Sequence, residues 1–441
     1  MRLGGRLSAA IEILTDIETR HRPVAQALKD WGISHRFAGS KDRSAIGNLV
    51  YDALRRKRSY GHRMGSDAPN AIVAAAAMEG LSLDAEALTK AIDGDKFAPD
   101  LPDPETLRAF PEHRALDAPG AVRADIPDWL ADRFEVLFGE SWVEEAAALS
   151  DRPPLDLRAN TLKASHDKVL EALSPFHAEP SGLTPTGIRI APIEGDGRHP
   201  NVQVEAGFLK GWFEIQDEGS QLAALLSGAE PGMQILDYCA GAGGKTLALS
   251  AALENTGQIH AYDGDRQRLA PIYDRLARAG CRNVQVHDPR DELAELEAAM
   301  DIVFVDAPCS GTGTWRRRPD AKWRLSEANL EKRIAEQDAV LDQAARYVKP
   351  GGRLVYVTCS VLPDENAERI EAFLGGAGGF VPLDLGGIWE RAMATGASPE
   401  AGAEGNAEVH RLALSAGTAL MMTPLKTGTD GFFVCVMERP A

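Results

Sequence analysis

The stretch QILDYCAGAGGKT, residues 234–246, decides the fold of this chain. It begins with a short apolar run typical of a buried strand, and it continues into a glycine-rich turn and the start of a helical pattern. Glycines let the backbone turn tightly and approach a ligand closely, and the first turn of the helix offers unpaired N–H groups. Because open α/β sheets bind ligands at the carboxyl ends of their strands, the stretch predicts a ligand loop over residues 239–246.

Strand-like runs continue outward from this stretch and alternate with helical patterns. Alternation of this kind predicts a parallel, doubly wound α/β sheet of Rossmann-like form. The predicted strands cover residues 234–238, 258–262, 283–287, 301–306 and 354–358. Residues 375–405 are rich in Gly and Ala, which favours a long loop near the C-terminus.

The length of 441 residues suits two or three domains, and the patterning predicts three. Residues 1–145 form an all-helical domain, because apolar residues recur at helical spacing over 8–17 and 44–54. Residues 146–215 form a small α+β module, and residues 216–441 hold the large sheet. The elements predicted in the module are strands at 155–158, 188–191 and 202–204 and a helix at 167–173.

The charge distribution is more informative than the net charge of −17. Residues 1–65 carry thirteen Lys and Arg against six Asp and Glu, whereas residues 66–147 carry six against eighteen. A basic N-terminal segment followed by an acidic remainder is compatible with a nucleic-acid partner and equally with a basic patch of no function. We find no apolar run of the length that spans a membrane, and five cysteines indicate reduced thiols, so we expect a cytoplasmic protein. The sequence does not determine the oligomeric state, and a monomer is favoured.

The ligand loop does not match either common phosphate-binding pattern. A P-loop, G-x-x-x-x-G-K-T, would need glycine at Cys239, and a dinucleotide loop, G-x-G-x-x-G, would need it at Thr246. Asp263 closes the second predicted strand, where a carboxylate suits two ribose hydroxyls. A carboxylate that merely caps the next helix is the alternative, and Asp265 fits that role better. A nucleoside cofactor without a phosphate cradle is therefore expected, and S-adenosylmethionine is favoured over a nucleotide.

Two cysteines lie where two predicted strands end. Cys309 follows the fourth strand, just after Asp306, and Cys359 follows the fifth. Since carboxyl ends of neighbouring parallel strands meet at one edge, these side chains should share one crevice. A lone cysteine is usually a small buried hydrophobe, which is our interpretation of Cys281 and Cys435. Zinc is not expected, because no further Cys or His follows at ligand spacing.

The motifs at these strand ends resemble those of a known family, the RsmB/Sun/Fmu-type RNA (cytosine-5) methyltransferases. The resemblance lies in DYCAGAGGKT (237–246), DAPCSGTG (306–313), RRRPDAKWR (316–324), TCSVLPDEN (358–366), GTDGFFVCVMERP (428–440), LRANTLK (157–163), FEIQDEGSQL (213–222) and DRSAIGNLVYDALR (42–55). It covers most of the chain. One departure is the pair Gly241-Ala242, where the family usually has Ala-Pro, giving a looser turn.

The resemblance implies a role for each site residue. Cys359 would be the nucleophile that adds to the cytosine ring, and Cys309 would assist removal of the carbon-5 proton and release of the product. Asp306 would bond ring N3, and Lys245 is a candidate for activating the thiol. S-adenosylmethionine would be held by Asp306, by Asp263 at the ribose, by Asp288 on the adenine side, and by the loop residues Cys239, Ala240, Gly241, Ala242, Gly243, Gly244 and Lys245.

The resemblance also implies RNA as the partner, through a NusB-like helical domain and an RRM-like module. The segment after Cys309 combines charge with indole rings, which suits phosphates and unpaired bases. Its candidate RNA-binding residues are Arg316, Arg317, Arg318, Lys322, Trp323 and Arg324. A solvated helix start with one buried tryptophan is the alternative.

Small-subunit rRNA is the expected substrate, and a tRNA substrate stays open. A DNA or small-molecule methyltransferase and a non-catalytic RNA-binding assembly factor are the other function classes that stay open.

Overall fold

A computed structural model describes residues 1–113, 115–193, 195, 197–376, 379–395 and 417–441. The chain forms two compact units. The helical unit comprises Met1–Pro153, Pro192–His199 and Thr314–Leu325, and the sheet unit comprises Pro154–Ala191, Pro200–Gly313 and Ser326–Ala441. The division predicted at residues 145 and 215 differs from this one, because the small α+β module and the large sheet share a unit and two later segments join the helices.

The helical unit is built around one helix that is apolar on every side. Residues 71–78 of that helix, Pro69–Gly80, are all buried, which is typical of a helix at the centre of a bundle. Four helices pack on it, namely Leu3–Arg20, Ser40–Arg55, Lys57–Met64 and Ala85–Ile92. The other described helices of the unit are Val24–Ser34, Pro104–Ala109, Gly120–Arg123, Ala131–Phe138 and Trp142–Ala148, together with Pro319–Arg324. The helices predicted at 8–17 and 44–54 are thereby confirmed.

A segment from the C-terminal half of the sequence completes this unit. Within Thr314–Leu325, the Trp315 ring stacks on Phe134 with centroids 6.1 Å apart. The ammonium of Lys322, which is fully buried, donates to the carbonyl of Arg55 and to the hydroxyl of Ser150, both at 2.8 Å.

These contacts correct part of the predicted RNA-binding set. Lys322 is fully buried and Arg316 is only 4% exposed, so neither faces solvent. Trp323 is half-buried and donates its indole N–H to the carbonyl of Leu54 at 2.7 Å. The sequence shows their charge and aromatic character but not their burial. Lys322 and Trp323 bond to other parts of the helical unit, and the Arg316 carbonyl accepts from Arg55.

We expect Lys322→Met to lower the free energy of unfolding of the helical unit by about 2–4 kcal/mol, since two buried acceptors would lose their donor. Burial lowers the pKa of Lys322 to about 7, although the Asp125 carboxylate opposes this shift. Between pH 7 and the ordinary lysine pKa, the unfolded chain therefore binds the extra proton, and the native protein gains stability as pH rises. The stability gap between wild type and Lys322→Met should widen over that interval in denaturant titrations. A constant gap would contradict the burial argument.

The small module is a four-stranded antiparallel sheet in the order β2-β3-β1-β4. Its strands are β1 Leu155–Ala159, β2 Glu179–Pro180, β3 Gly187–Ile190 and β4 Phe213–Ile215, and its helix is His166–Leu173. The strand predicted at 202–204 is wrong. Val202–Val204 is a single 3₁₀ turn, because its backbone bonds close locally, and β4 pairs with β1 instead.

The large sheet has the order β10-β12-β9-β8-β5-β6-β7, with β11 also paired to β12. Its strands are β5 Gln234–Asp237, β6 Gln258–Ala261, β7 Val284–Val286, β8 Met300–Asp306, β9 Val348–Thr358, β10 Val381–Pro382, β11 Ala419–Met422 and β12 Phe432–Glu438. Strands β5 to β9 are parallel, which confirms the five predicted strands and the Rossmann-like class. Strand order reverses at β5, so the loops after β5 and β8 open into one crevice.

Both faces of the sheet are covered. Ile302 and Phe304 of β8 pack into one apolar core, while Val303 and Val305 pack into another, as alternation along a doubly buried strand requires. The helices of this unit are Ala206–Leu209, Glu218–Leu225, Gly244–Ala252, Arg266–Leu269, Ile272–Ala279, Glu327–Ala345, Ala367–Gly376, Leu385–Thr395 and Pro424–Thr427.

The long loop predicted over 375–405 is wrong where the structure describes it. This stretch contains β10 and the helix Leu385–Thr395, whose Leu385, Ile388 and Trp389 are buried at helical spacing. Residues 377–378 and 396–405 lie outside the described residues. Among the described helices, none is both long and apolar enough to cross a bilayer.

Candidate active site

The glycine-rich loop joins β5 to the helix Gly244–Ala252. Gly241 and Gly243 have φ of 49° and 84°, which L-residues with side chains rarely adopt. A Cβ at Gly243 would also lie 2.6 Å from the Ile272 side chain. Two hydrogen bonds hold the loop. The Thr246 hydroxyl donates to the Asp237 carboxylate at 2.6 Å, and the Gly241 N–H donates to Asp263 at 2.9 Å.

A cavity of about 560 Å³ lies against this loop. It is lined by the predicted residues Cys239, Ala240, Gly241, Ala242, Gly244, Lys245 and Asp306. It is also lined by residues for which no role was predicted, namely Ile215, Gln216, Asp217, Ser220, Gln267, Arg268, Pro271 and Arg275. Four of these lie in or beside the stretch FEIQDEGSQL, which was a signal of resemblance without an assigned function.

The two predicted carboxylates beside the cofactor differ in their surroundings. Asp263 is buried, and its two oxygens accept the N–H groups of Gly241 and Asp265 at 2.9 and 2.8 Å. Neither carboxylate is among the residues that line the cavity, but Asp263 contacts two that are, since its Oδ2 accepts from the Gly241 N–H and lies 3.8 Å from Arg268. A hydrogen bond from Arg290 lowers the pKa of Asp288. The loop, the cavity and Asp263 fit a nucleoside with a charged tail, because a carboxylate retains acceptor sites after two such bonds.

We expect Asp263→Asn to weaken S-adenosylmethionine binding by about 10- to 100-fold, as loss of a charge-assisted hydrogen bond predicts. Asp265→Asn is the matched control, since asparagine caps a helix as well as aspartate and Asp265 caps Arg266–Leu269. Calorimetric titration of both variants checks this. Equal affinities for the two variants would remove Asp263 from the cofactor site.

Lys245, which is buried, and Asp306, which is half-exposed, form an ion pair between the loop and β8. The Lys245 ammonium lies 2.7 Å from Asp306 Oδ2. Burial by itself lowers the pKa of Lys245, but the Asp306 carboxylate more than offsets this, so the pKa is raised and the group stays an ammonium. A proton donor therefore sits next to Asp306.

The two predicted cysteines lie together. Cys309 Sγ and Cys359 Sγ are 3.4 Å apart, at the ends of the neighbouring strands β8 and β9. The hydrogen bond with Cys359, followed by burial, raises the pKa of the Cys309 thiol well above its ordinary value. Cys435 is instead packed in the core, as expected. Within the described part of the chain, no three His, Cys, Asp or Glu side chains gather as a metal site would require.

The fold and this loop define the class of Rossmann-like, S-adenosylmethionine-dependent methyltransferases. Residues 224–438 match the family model for "16S rRNA methyltransferase RsmB/F", and residues 126–193 match the "ferredoxin-like domain" of RsmF/B-like methyltransferases. The chain belongs to this RsmB/F family.

The chain is also similar to curated proteins and to solved structures. The chain is 38% identical over 255 residues to "Ribosomal RNA small subunit methyltransferase B" of Photorhabdus laumondii, a match that covers 56% of this chain and 57% of that protein. A crystal structure of a methyltransferase homologue from Pyrococcus horikoshii is 26% identical, with a TM-score of 0.56 over 73% of this chain and 98% of that one. The crystal structure of PH0851, 24% identical, shares the fold with a TM-score of 0.69 over 99% of this chain and 100% of that one.

Proposed function

We propose that this protein transfers a methyl group from S-adenosylmethionine to carbon 5 of a cytosine in RNA, with Cys359 as the nucleophile. The observation that carries the proposal is the pair of thiols 3.4 Å apart at the ends of β8 and β9. A reaction that adds one thiol to ring carbon 6 and removes a proton from the adjacent carbon 5 needs two such groups at close range.

The roles of the two thiols follow from pyrimidine chemistry. Carbon 5 of cytosine becomes nucleophilic when the Cys359 thiolate bonds to carbon 6. S-adenosylmethionine, held by the glycine-rich loop and Asp263, supplies an electrophilic methyl group. Cys309 then assists removal of the carbon-5 proton, and the bond from Cys359 to carbon 6 breaks as the ring double bond re-forms.

Asp306 and Lys245 serve the pyrimidine ring in this proposal. Addition at carbon 6 pushes electrons toward N3, so a proton delivered there stabilises the adduct. Asp306 is half-exposed while its partner Lys245 is buried, so the carboxyl group is the member of the pair that can reach a substrate. The proton comes from the Lys245 ammonium, which lies 2.7 Å from Asp306 Oδ2. As the carboxyl group gives a proton to N3, it takes one from Lys245, which is left as the neutral amine.

We propose RNA as the class of substrate and small-subunit rRNA as the particular RNA. The named relative acts on ribosomal RNA of the small subunit by its description. A ring face can meet a thiolate only if the base leaves its stack, so an unpaired or flipped cytosine is required. Arg318, which is exposed, and Arg317, which is half-exposed, remain candidates for phosphate contact.

The test is direct detection of the product. The purified protein is incubated with isotopically labelled S-adenosylmethionine and with RNA or DNA of the same sequence, and the nucleosides are separated by mass spectrometry. We expect labelled 5-methylcytidine from RNA only. Label on another atom, on DNA, or on tRNA in preference to small-subunit rRNA would overturn the corresponding part of the proposal. Bisulfite sequencing of cellular RNA with and without the protein then identifies the cytosine.

A further inference from the structure

Both peptide groups next to Cys309 are held by buried side chains. The Glu365 carboxylate accepts the backbone N–H of Ser310 at 2.7 Å and, with its other oxygen, the Ser310 hydroxyl. On the other side of Cys309, Gln337 Nε2 donates to the Pro308 carbonyl at 2.9 Å and to Glu365 at 3.1 Å. Glu365 and Gln337 are fully buried, so water does not compete for these bonds.

The next residue in sequence, Asn366, bonds to both neighbours of the second cysteine. Asn366 Nδ2 donates to the Ser360 carbonyl at 2.9 Å, and its Oδ1 accepts the Thr358 hydroxyl at 2.6 Å. These two partners flank Cys359 directly. Asn366 is 1% exposed.

The turn that ends at Glu365, directly before Asn366, is itself anchored. Tyr356, in β9, donates its hydroxyl to the Glu365 carbonyl at 2.7 Å. The 3₁₀ turn Pro363–Glu365 therefore has a fixed position relative to the end of the strand that leads to Cys359.

We propose that Glu365 and Asn366 are positioning residues that form a two-residue clamp, in which Glu365 sets the Cys309 loop and Asn366 sets the Cys359 loop, so that the clamp fixes the distance between the two sulfurs. The role of the clamp in catalysis rests on the function proposed above, whereas its effect on the distance between the two sulfurs does not. A buried carboxylate is costly unless it is fully bonded, and each oxygen of Glu365 bonds to Ser310, the residue after Cys309.

The charge of Glu365 allows its positioning role to be separated from an electrostatic one. Its carboxylate contributes to the raised pKa of Cys309, after the hydrogen bond with Cys359 and burial. Removal of that charge would favour the Cys309 thiolate and would make the thiol react faster. Loss of positioning would make a reaction between the two sulfurs slower.

The experiment measures the rate at which Cys309 and Cys359 form a disulfide, because this rate depends on the distance between their sulfurs. Reduced protein is treated with the azo oxidant diamide, which is reduced to the hydrazine as two thiols lose their hydrogens and form a disulfide. Peptide mass spectrometry then follows the bond between Cys309 and Cys359 over time. We expect rapid formation in the wild type and a rate about 10- to 100-fold lower in Glu365→Gln and in Asn366→Ala, as displacements of about 1 Å produce.

Glu371→Gln is the matched control, because this carboxylate is exposed on the following helix, and it should react at the wild-type rate. Ser310→Ala removes one bond to Glu365 and keeps the backbone bond, so a smaller decrease is expected there even if Glu365→Gln does not fold. The clamp is overturned if Glu365→Gln forms the disulfide at the wild-type rate or faster. If Glu365→Gln and Asn366→Ala do not fold, a wild-type rate in Ser310→Ala overturns it.

A second readout separates the two halves of the clamp. With RNA and S-adenosylmethionine, Glu365→Gln should accumulate a covalent RNA adduct, because Cys309 is misplaced for release, whereas Asn366→Ala should fail to form one. Equal behaviour of the two variants would overturn this division of roles. If the wild type methylates no RNA but the diamide rates follow the expected order, the proposed function fails and the clamp stands.

Discussion

Cys359→Ala is expected to abolish methyl transfer to RNA, with a loss of roughly four to six orders of magnitude in rate, while binding of S-adenosylmethionine is unchanged. Without a group that adds to carbon 6, carbon 5 of cytosine is too weak a nucleophile to react. Cys359 does not line the cavity beside the glycine-rich loop, so the variant should bind the cofactor normally.

The matched control for this change is Cys281→Ala. Cys281 is also half-buried, but it packs against the apolar cluster around Leu276, and its loss should leave the rate near that of the wild type. Activity is measured as label transferred to RNA, and cofactor binding is measured by calorimetry. Substantial activity in Cys359→Ala would refute the nucleophile assignment, and lost cofactor binding would point to a folding defect.

A chain shortened to begin at Pro154 is expected to be insoluble or to aggregate on purification. It would keep residues 314–325 but lose the helices against which they pack. Trp315 is 1% exposed in the full chain, and a tryptophan of this kind buries about 150–250 Å², worth several kcal/mol. The shortened chain would also expose the buried Lys322 stem and the half-buried Trp323.

Sedimentation and dye binding to exposed apolar surface measure this outcome. Trp315→Ser together with Trp323→Ser, made in the shortened chain, should restore part of the solubility, because the exposed rings are the cause. If the shortened chain is soluble, monomeric and as heat-stable as the full protein, the packing role of residues 314–325 is refuted.

The strands of the parallel sheet were predictable because each is a short apolar run bounded by turn residues. The antiparallel strands β10, β11 and β12 were not predicted, since a strand that joins an existing sheet edge needs only a modest pattern of its own. The turn at Val202–Val204 has the β-branched composition of a strand, yet its backbone bonds close within three residues. Local composition could not distinguish these two outcomes.

The residues of the candidate site likewise include some that could be predicted from the sequence and some that could not. Cys309, Cys359 and the glycine-rich loop stand at strand ends, and strand ends can be located from sequence. Arg268 and Gln216 reach the cavity from other elements without any periodic signal. The burial of Lys322 is set by contacts with residues about 170 to 270 positions away in the sequence, so its charge suggested a surface that the fold does not provide.

The placement of Thr314–Leu325 inside the helical unit also constrains how the chain folds as it is synthesised. At the usual rate of translation, roughly 8 to 30 s separate the emergence of residue 153 from that of residue 314. Throughout that interval the early helices lack the tryptophan that stacks on Phe134. The helices of residues 3–148 are therefore synthesised before most of the sheet unit, yet the apolar surface that Trp315 covers stays open until residues 314–325 have followed.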